Sequence, residues 1–141
     1  MNQLALIFLF VICLSTKSQA QVHWLINKDS SANCNLLRIG KFVNKETDSK
    51  ATKGYTIEFT ENEIIEKIDD GKYFVKSKVI FTSPCNYILT ILETTAEQYK
   101  TLIGTNINVE IVETATIDNL VKIRSKHNGE WQNFVLEKII D

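Results

Sequence analysis

The sequence predicts an all-β protein, an antiparallel meander of about eight strands closing into a small barrel. Three observations carry that expectation. Short runs of β-branched and aromatic residues alternate with polar ones, most cleanly in Gly-Tyr-Thr-Ile-Glu-Phe-Thr at 54–60. Turn dipeptides such as Asp70-Gly71 and Asn128-Gly129 separate those runs. Helical spacing is confined to residues 95–101, room for a turn of helix and no more.

The elements follow in order. Residues 38–43 are the first strand. In 54–60, Tyr55, Ile57 and Phe59 face one way and Thr56, Glu58 and Thr60 the other. In 62–68, Ile64 and Ile68 share a face. Asp70-Gly71 then predicts a type I′ hairpin, because both central positions of that turn need positive φ. Residues 72–81 put Tyr73, Val75, Val79 and Phe81 inward and Lys76 and Lys78 toward water. Pro84 lacks an amide hydrogen and ends the run. Residues 86–94 are apolar on both faces, with Tyr87, Leu89 and Ile91 on one and Ile88 and Leu92 on the other. Such a strand predicts burial on both sides, or an outer face covered by the segment that leads into the domain. Residues 105–113 alternate again, with Ile107, Val109 and Ile111 inward. Residues 118–124 and 131–138 form a last hairpin around Asn128-Gly129. Closing the meander removes the edge strands that invite aggregation.

The N-terminus bears on compartment. Leu4 to Leu14 is an unbroken run of eleven apolar residues, and Ser18-Gln19-Ala20 puts small residues at −3 and −1 of a cleavage site. The run is shorter than the ~20 residues that span a bilayer. Residues 1–20 are therefore expected to be a signal peptide. Residues 21–35 are then a lead-in segment and 36–141 a single β-barrel domain, periplasmic or secreted, with no transmembrane segment in the mature chain. Of the three cysteines, Cys13 lies in the signal peptide and two remain. An even pair in an exported chain predicts one disulfide, Cys34 to Cys85. The mature chain has 15 basic and 17 acidic residues, a formal charge of −2. No basic patch tracks phosphates, which argues against nucleic acid as a partner. The rival architecture is an immunoglobulin-like β-sandwich. Such domains usually carry a tryptophan between the two cysteines and a tyrosine two residues before the second. Here no tryptophan lies between them, and Ser83 holds the tyrosine position.

Cys34, Gly40, Lys41 and Phe42 form a Cys-x₅-Gly-Lys-Phe motif, and Cys85, Asn86, Tyr87 and Leu89 form a Cys-Asn-Tyr-hydrophobic-Leu motif. Over residues 34–138 this resembles a group of small exported bacterial proteins. The resemblance implies a lipocalin-like (calycin-like) barrel, a disulfide and no assigned activity. The chain departs from the group in its extra N-terminal segment and in having no lipobox.

Catalytic signals are weak. The chain has no Gly-x-Ser-x-Gly, Gly-rich phosphate loop or Cys/His metal spacing. Glu58, Glu66, Glu110 and Glu113 fall mostly on expected solvent faces and are weak candidates for an acid/base pair, so neither an enzyme nor a cofactor is predicted. After cleavage His23 becomes the third residue, and its imidazole, two amides and the amine could offer Cu(II) a square plane. Cyclisation of Gln21 would remove the amine. His127 reads as a polar turn residue, and Trp24 or Trp131 as a plug for the barrel bottom. Tyr55, Phe59, Tyr73, Phe81 and Tyr87 are the candidate pocket for a small apolar ligand, or else they fill the core. The two functions in view are a ligand-binding module and a structural protein that contacts other envelope proteins.

Overall fold

The computed structural model describes residues 25–45 and 54–140. Residues 1–20, expected to be a signal peptide, and His23 and Trp24 lie outside them. Eight strands form one ladder: β1 (Gly40–Asn44), β2 (Thr56–Phe59), β3 (Glu63–Ile68), β4 (Tyr73–Ser83), β5 (Asn86–Thr94), β6 (Asn106–Ala115), β7 (Leu120–His127) and β8 (Glu130–Ile139). Each pairs antiparallel with its sequence neighbour, and β1 pairs with β8, so the barrel is closed. That closure rules out the two-sheet sandwich.

Antiparallel pairing starts β1, β3, β5 and β7 at one end, the lower end, and the other four strands at the upper end. The 3₁₀ helix Cys34–Leu37 arrives at the lower end, and Leu37 is fully buried there. The Cys34–Cys85 disulfide joins it to the β4–β5 turn, across a Cα–Cα distance of 5.3 Å. A second 3₁₀ helix, Glu97–Leu102, crosses the upper end between β5 and β6 and buries Tyr99 and Ala96. Among the described residues no helix is long and apolar enough to cross a membrane.

The inward alternation holds through Tyr55, Ile57 and Phe59, through Val75 and Val79, and through Tyr87, Leu89 and Ile91, all of them buried. The lower half of the core is an aromatic stack. Phe42 meets Phe59 edge-on at 5.4 Å, Phe59 meets Tyr87 at 6.3 Å, and Tyr87 meets Phe81 at 5.1 Å. Each such pair contributes ~1 kcal/mol beyond its buried area.

Bulges shift the register in three places. The pairings Lys76↔Glu93 and Ser77↔Ile91 leave Leu92 as an extra residue on β5, and those around Thr82 and Val112 leave extra residues on β4 and β6. A bulge moves every later side chain to the opposite face. On β6 it turns Glu113 and Ala115 outward, and Leu25 and Val135 pack on Ala115 there. The lead-in segment therefore covers the outer face of β6–β8 and leaves that of β5 open, where Leu92 is 44% exposed. Asp29 ties this segment down. Its carboxylate accepts from the Thr114 and Thr116 hydroxyls and the Thr116 amide, and its amide donates to the Thr114 carbonyl at 2.7 Å. Those donors hold the Asp29 carboxyl below its ordinary pKa.

The β3–β4 connection differs from a two-residue hairpin on Asp70-Gly71. Ile68 pairs with Tyr73, so four residues form the loop, and Asp69, Asp70 and Gly71 all have positive φ. Asp tolerates that geometry through its short polar side chain. The loop is anchored by the Asp70 amide donating to the Gly54 carbonyl at 3.2 Å. Gly54 has φ +74°, and a Cβ there would lie 2.7 Å from the Asp70 amide nitrogen. Gly54→Ala is expected to lower stability by about 2 kcal/mol or more, read as a lowered urea midpoint at unchanged m-value. The β7–β8 hairpin turns at Asn128-Gly129 as expected, and the strands run closer to the turn than the sequence suggested, with His127 opposite Glu130 and positive φ at Asn128 and Gly129.

Candidate functional site

Glu66 sits on β3 between Ile64 and Ile68, and the pleat points all three into the barrel. The residue is 2% exposed. Its neighbours in register are Ile57 on β2 and Val75 on β4, both apolar. Loss of water pushes its carboxyl pKa up to about 8, and the nearby Tyr55 hydroxyl pulls it back only in part. At neutral pH the group is therefore mainly a neutral acid.

Three phenols surround it. Tyr55 precedes β2 at the upper end and Tyr99 comes from the 3₁₀ helix above. Tyr87 sits low on β5, with its hydroxyl within electrostatic reach of Glu66 and Tyr55. Burial, with the Glu66 carboxylate adding to it, raises the pKa of Tyr55 and Tyr87 well above the usual phenol value. Tyr99 is raised to about 12, again mainly by burial. The Tyr55, Tyr87 and Tyr99 hydroxyls and Glu66 Oε2 are all buried; Tyr55 interacts with Glu66 and Tyr99 with Gln98, but none of the four reaches full hydrogen-bond geometry with a described residue. Buried polar atoms are hydrogen-bonded in the large majority of proteins, and each orphan costs ~1–3 kcal/mol. All four lie inside one barrel, and each phenol is within electrostatic reach of Glu66, which makes a polar centre in a largely apolar interior.

The sequence-predicted pocket divides between the middle and the ends of the barrel. Tyr55, Phe59 and Tyr87 are fully inside. Tyr73 and Phe81 are half buried at opposite ends of β4. The Arg38 guanidinium covers the Phe81 ring at 3.3 Å and donates to the Pro84 carbonyl, which places Phe81 in the lower seal. Trp131 is 44% exposed on the outer surface of β8 under the Arg124 guanidinium, so it does not plug the barrel.

Two acidic residues expected in solvent are buried. Glu66 shares its parity with Ile64 and Ile68, a signal present in the sequence and overridden by its charge. Glu113 is on the outer face, roofed by Leu25, whose amide donates to its carboxylate at 3.4 Å. It pairs with buried Lys122 at 3.6 Å. Tyr99 carries no local sequence signal, because its placement depends on how the β5–β6 crossing folds over the end. Among the described residues no group of three His, Cys, Asp or Glu side chains is placed to hold a metal ion. No family model, curated protein or solved structure matches the chain.

Proposed function

We propose that this chain is a non-catalytic, exported barrel that binds a small, largely apolar molecule inside, with the Glu66 centre fixing the polar end of that ligand. The observation that carries this reading is the set of four buried oxygens inside the barrel, centred electrostatically on Glu66, whose hydrogen bonding is incomplete. A ligand that met them would remove a standing cost of the unliganded fold. The apolar residues around them, Ile57, Val75 and Ile91 among them, supply the non-polar lining such sites have. The apolar N-terminal run with its cleavage pattern, the oxidised Cys34–Cys85 pair and the resemblance to exported lipocalin-like proteins support a periplasmic or secreted location.

A second reading rests on different residues. Ile80 is 48% and Leu92 44% exposed on the outer face of β4 and β5, next to half-buried Ile88. The interior side chains leave almost no accessible surface. A filled barrel that contacts an envelope protein through this outer face would have these properties. Native mass spectrometry of protein purified from its own envelope separates the two. A co-purifying mass of a few hundred daltons is expected. A bare chain, or one carrying only a protein partner, would favour the filled barrel.

A further inference from the structure

We infer that the Glu66 centre receives the ammonium group of a small primary amine with an apolar body. The inference rests on the ligand-binding reading above and names the class of ligand.

The charge inventory of the interior selects the class. Among the described residues Glu66 is the one fully buried charged group on the inner face. The buried Glu113–Lys122 pair lies on the outer face, since Val121 and Ile123 on either side of Lys122 belong to the core. Lys138 is inward but half buried at the lower end, its ammonium 5.8 Å from the Phe42 ring and donating to the Leu36 carbonyl. An anionic ligand at the centre would meet no buried cation and would face the carboxyl of Glu66. A cationic ligand would find its counter-charge there, and a buried charge is tolerated only when paired and hydrogen-bonded.

Donor and acceptor counting points the same way. The four orphan atoms are all oxygens, each able to accept. An ammonium offers three donors and no acceptor, which suits one carboxylate oxygen and two phenol oxygens. An ammonium reaches three of the four oxygens, whereas a carbonyl oxygen accepts from at most two hydroxyls and donates to none of the four. Aromatic faces close by add a cation–π contribution.

Access follows from where Tyr99 sits. It is carried by the helix Glu97–Leu102 across the upper end, not by a strand. Its backbone hydrogen bonds, Tyr99 to Ala96 and Ile103 to Lys100, are local, so its displacement would leave the strand ladder intact.

Binding an ammonium requires the Glu66 proton to leave, and it departs to solvent. The titratable groups in electrostatic reach of Glu66 are Tyr55 from just before β2, Tyr87 from β5 and Tyr99 from the crossing helix, all phenols that stay protonated over the working range. Affinity for the amine therefore rises with pH toward the Glu66 value, by up to tenfold per pH unit.

The test is isothermal titration calorimetry with a panel of aliphatic and aromatic primary amines, phenethylamine among them, against phenethyl alcohol and 3-phenylpropionate at pH 6, 7 and 8. At least one amine is expected to bind ten times or more tighter than its alcohol and acid analogues, and more tightly at pH 8 than at pH 6. Glu66→Gln is expected to lower that affinity at least thirtyfold and to abolish its pH dependence. Tyr99→Phe is expected to weaken the amine several-fold while keeping the pH dependence. Circular dichroism melts show that both variants are folded. An alcohol or acid that binds as tightly as the amines, or an affinity that falls with pH, overturns the amine assignment and leaves the ligand-binding reading standing. Millimolar or weaker binding across the whole panel also overturns the assignment. A bare chain in native mass spectrometry overturns the reading beneath it.

Discussion

Raising the pH from 5 to 8 is expected to weaken the unliganded protein by several kcal/mol, and Glu66→Gln is expected to remove most of that slope. In the unfolded chain the Glu66 carboxyl ionises near its ordinary value of 4.5; in the barrel it holds its proton to about 8. Below 4.5 both states are protonated and the group contributes nothing to the balance. Between the two values the native state binds the extra proton, so stability falls as pH rises. Above 8 the cost is constant. At ~1.4 kcal/mol per pH unit, the whole window is worth roughly 5 kcal/mol and the part below pH 7 roughly 3. That is a large fraction of what a small domain has. Urea unfolding at pH 5, 6, 7 and 8 reads the slope directly. A flat wild-type profile, or a Glu66→Gln variant that keeps the wild-type slope, would show that the carboxyl is solvated and would remove the physical basis of the proposed centre.

Loss of the disulfide is the second large effect. The Cys34→Ala/Cys85→Ala double variant is expected to be about 4 kcal/mol less stable, because the bridge closes a loop of sequence separation 51 in the unfolded chain. Replacing both residues avoids leaving one buried thiol without its partner. The variant should also show a larger m-value, since its unfolded chain is no longer compacted by the cross-link. The lower seal would loosen with it, because buried Leu37 and the Arg38 that covers Phe81 follow Cys34 closely. A midpoint unchanged within ~0.5 kcal/mol would mean that the aromatic stack and β1 hold the lower end unaided.

Much of this fold was legible locally. Ile57 and Phe59 face inward because a pleat has period two and their polar neighbours could stay wet. Asn128-Gly129 turns where two left-handed residues are needed. Glu66 was legible by position and misread by charge, since parity groups it with Ile64 and Ile68 while its carboxyl argues for water. Glu113 does lie on the outer face, where the bulge at Val112 turns it, but it is not solvated, because Leu25, nearly ninety residues away in sequence, covers it.

By itself the sequence determined the strand order, the alternation of faces, the two-cysteine clasp and the all-β class. Each of these depends on interactions a few residues wide, or on a pair with no competitor. Only the tertiary structure decided that Glu66 meets Tyr55, Tyr87 and Tyr99, which outer face the lead-in segment covers, and that Trp131 stays at the surface. Those outcomes depend on the curvature of a closed ladder and on three bulges, which bring together side chains from three strands and a crossing helix. No short stretch of the chain encodes that distance, because the residues that set it are spread around the whole barrel.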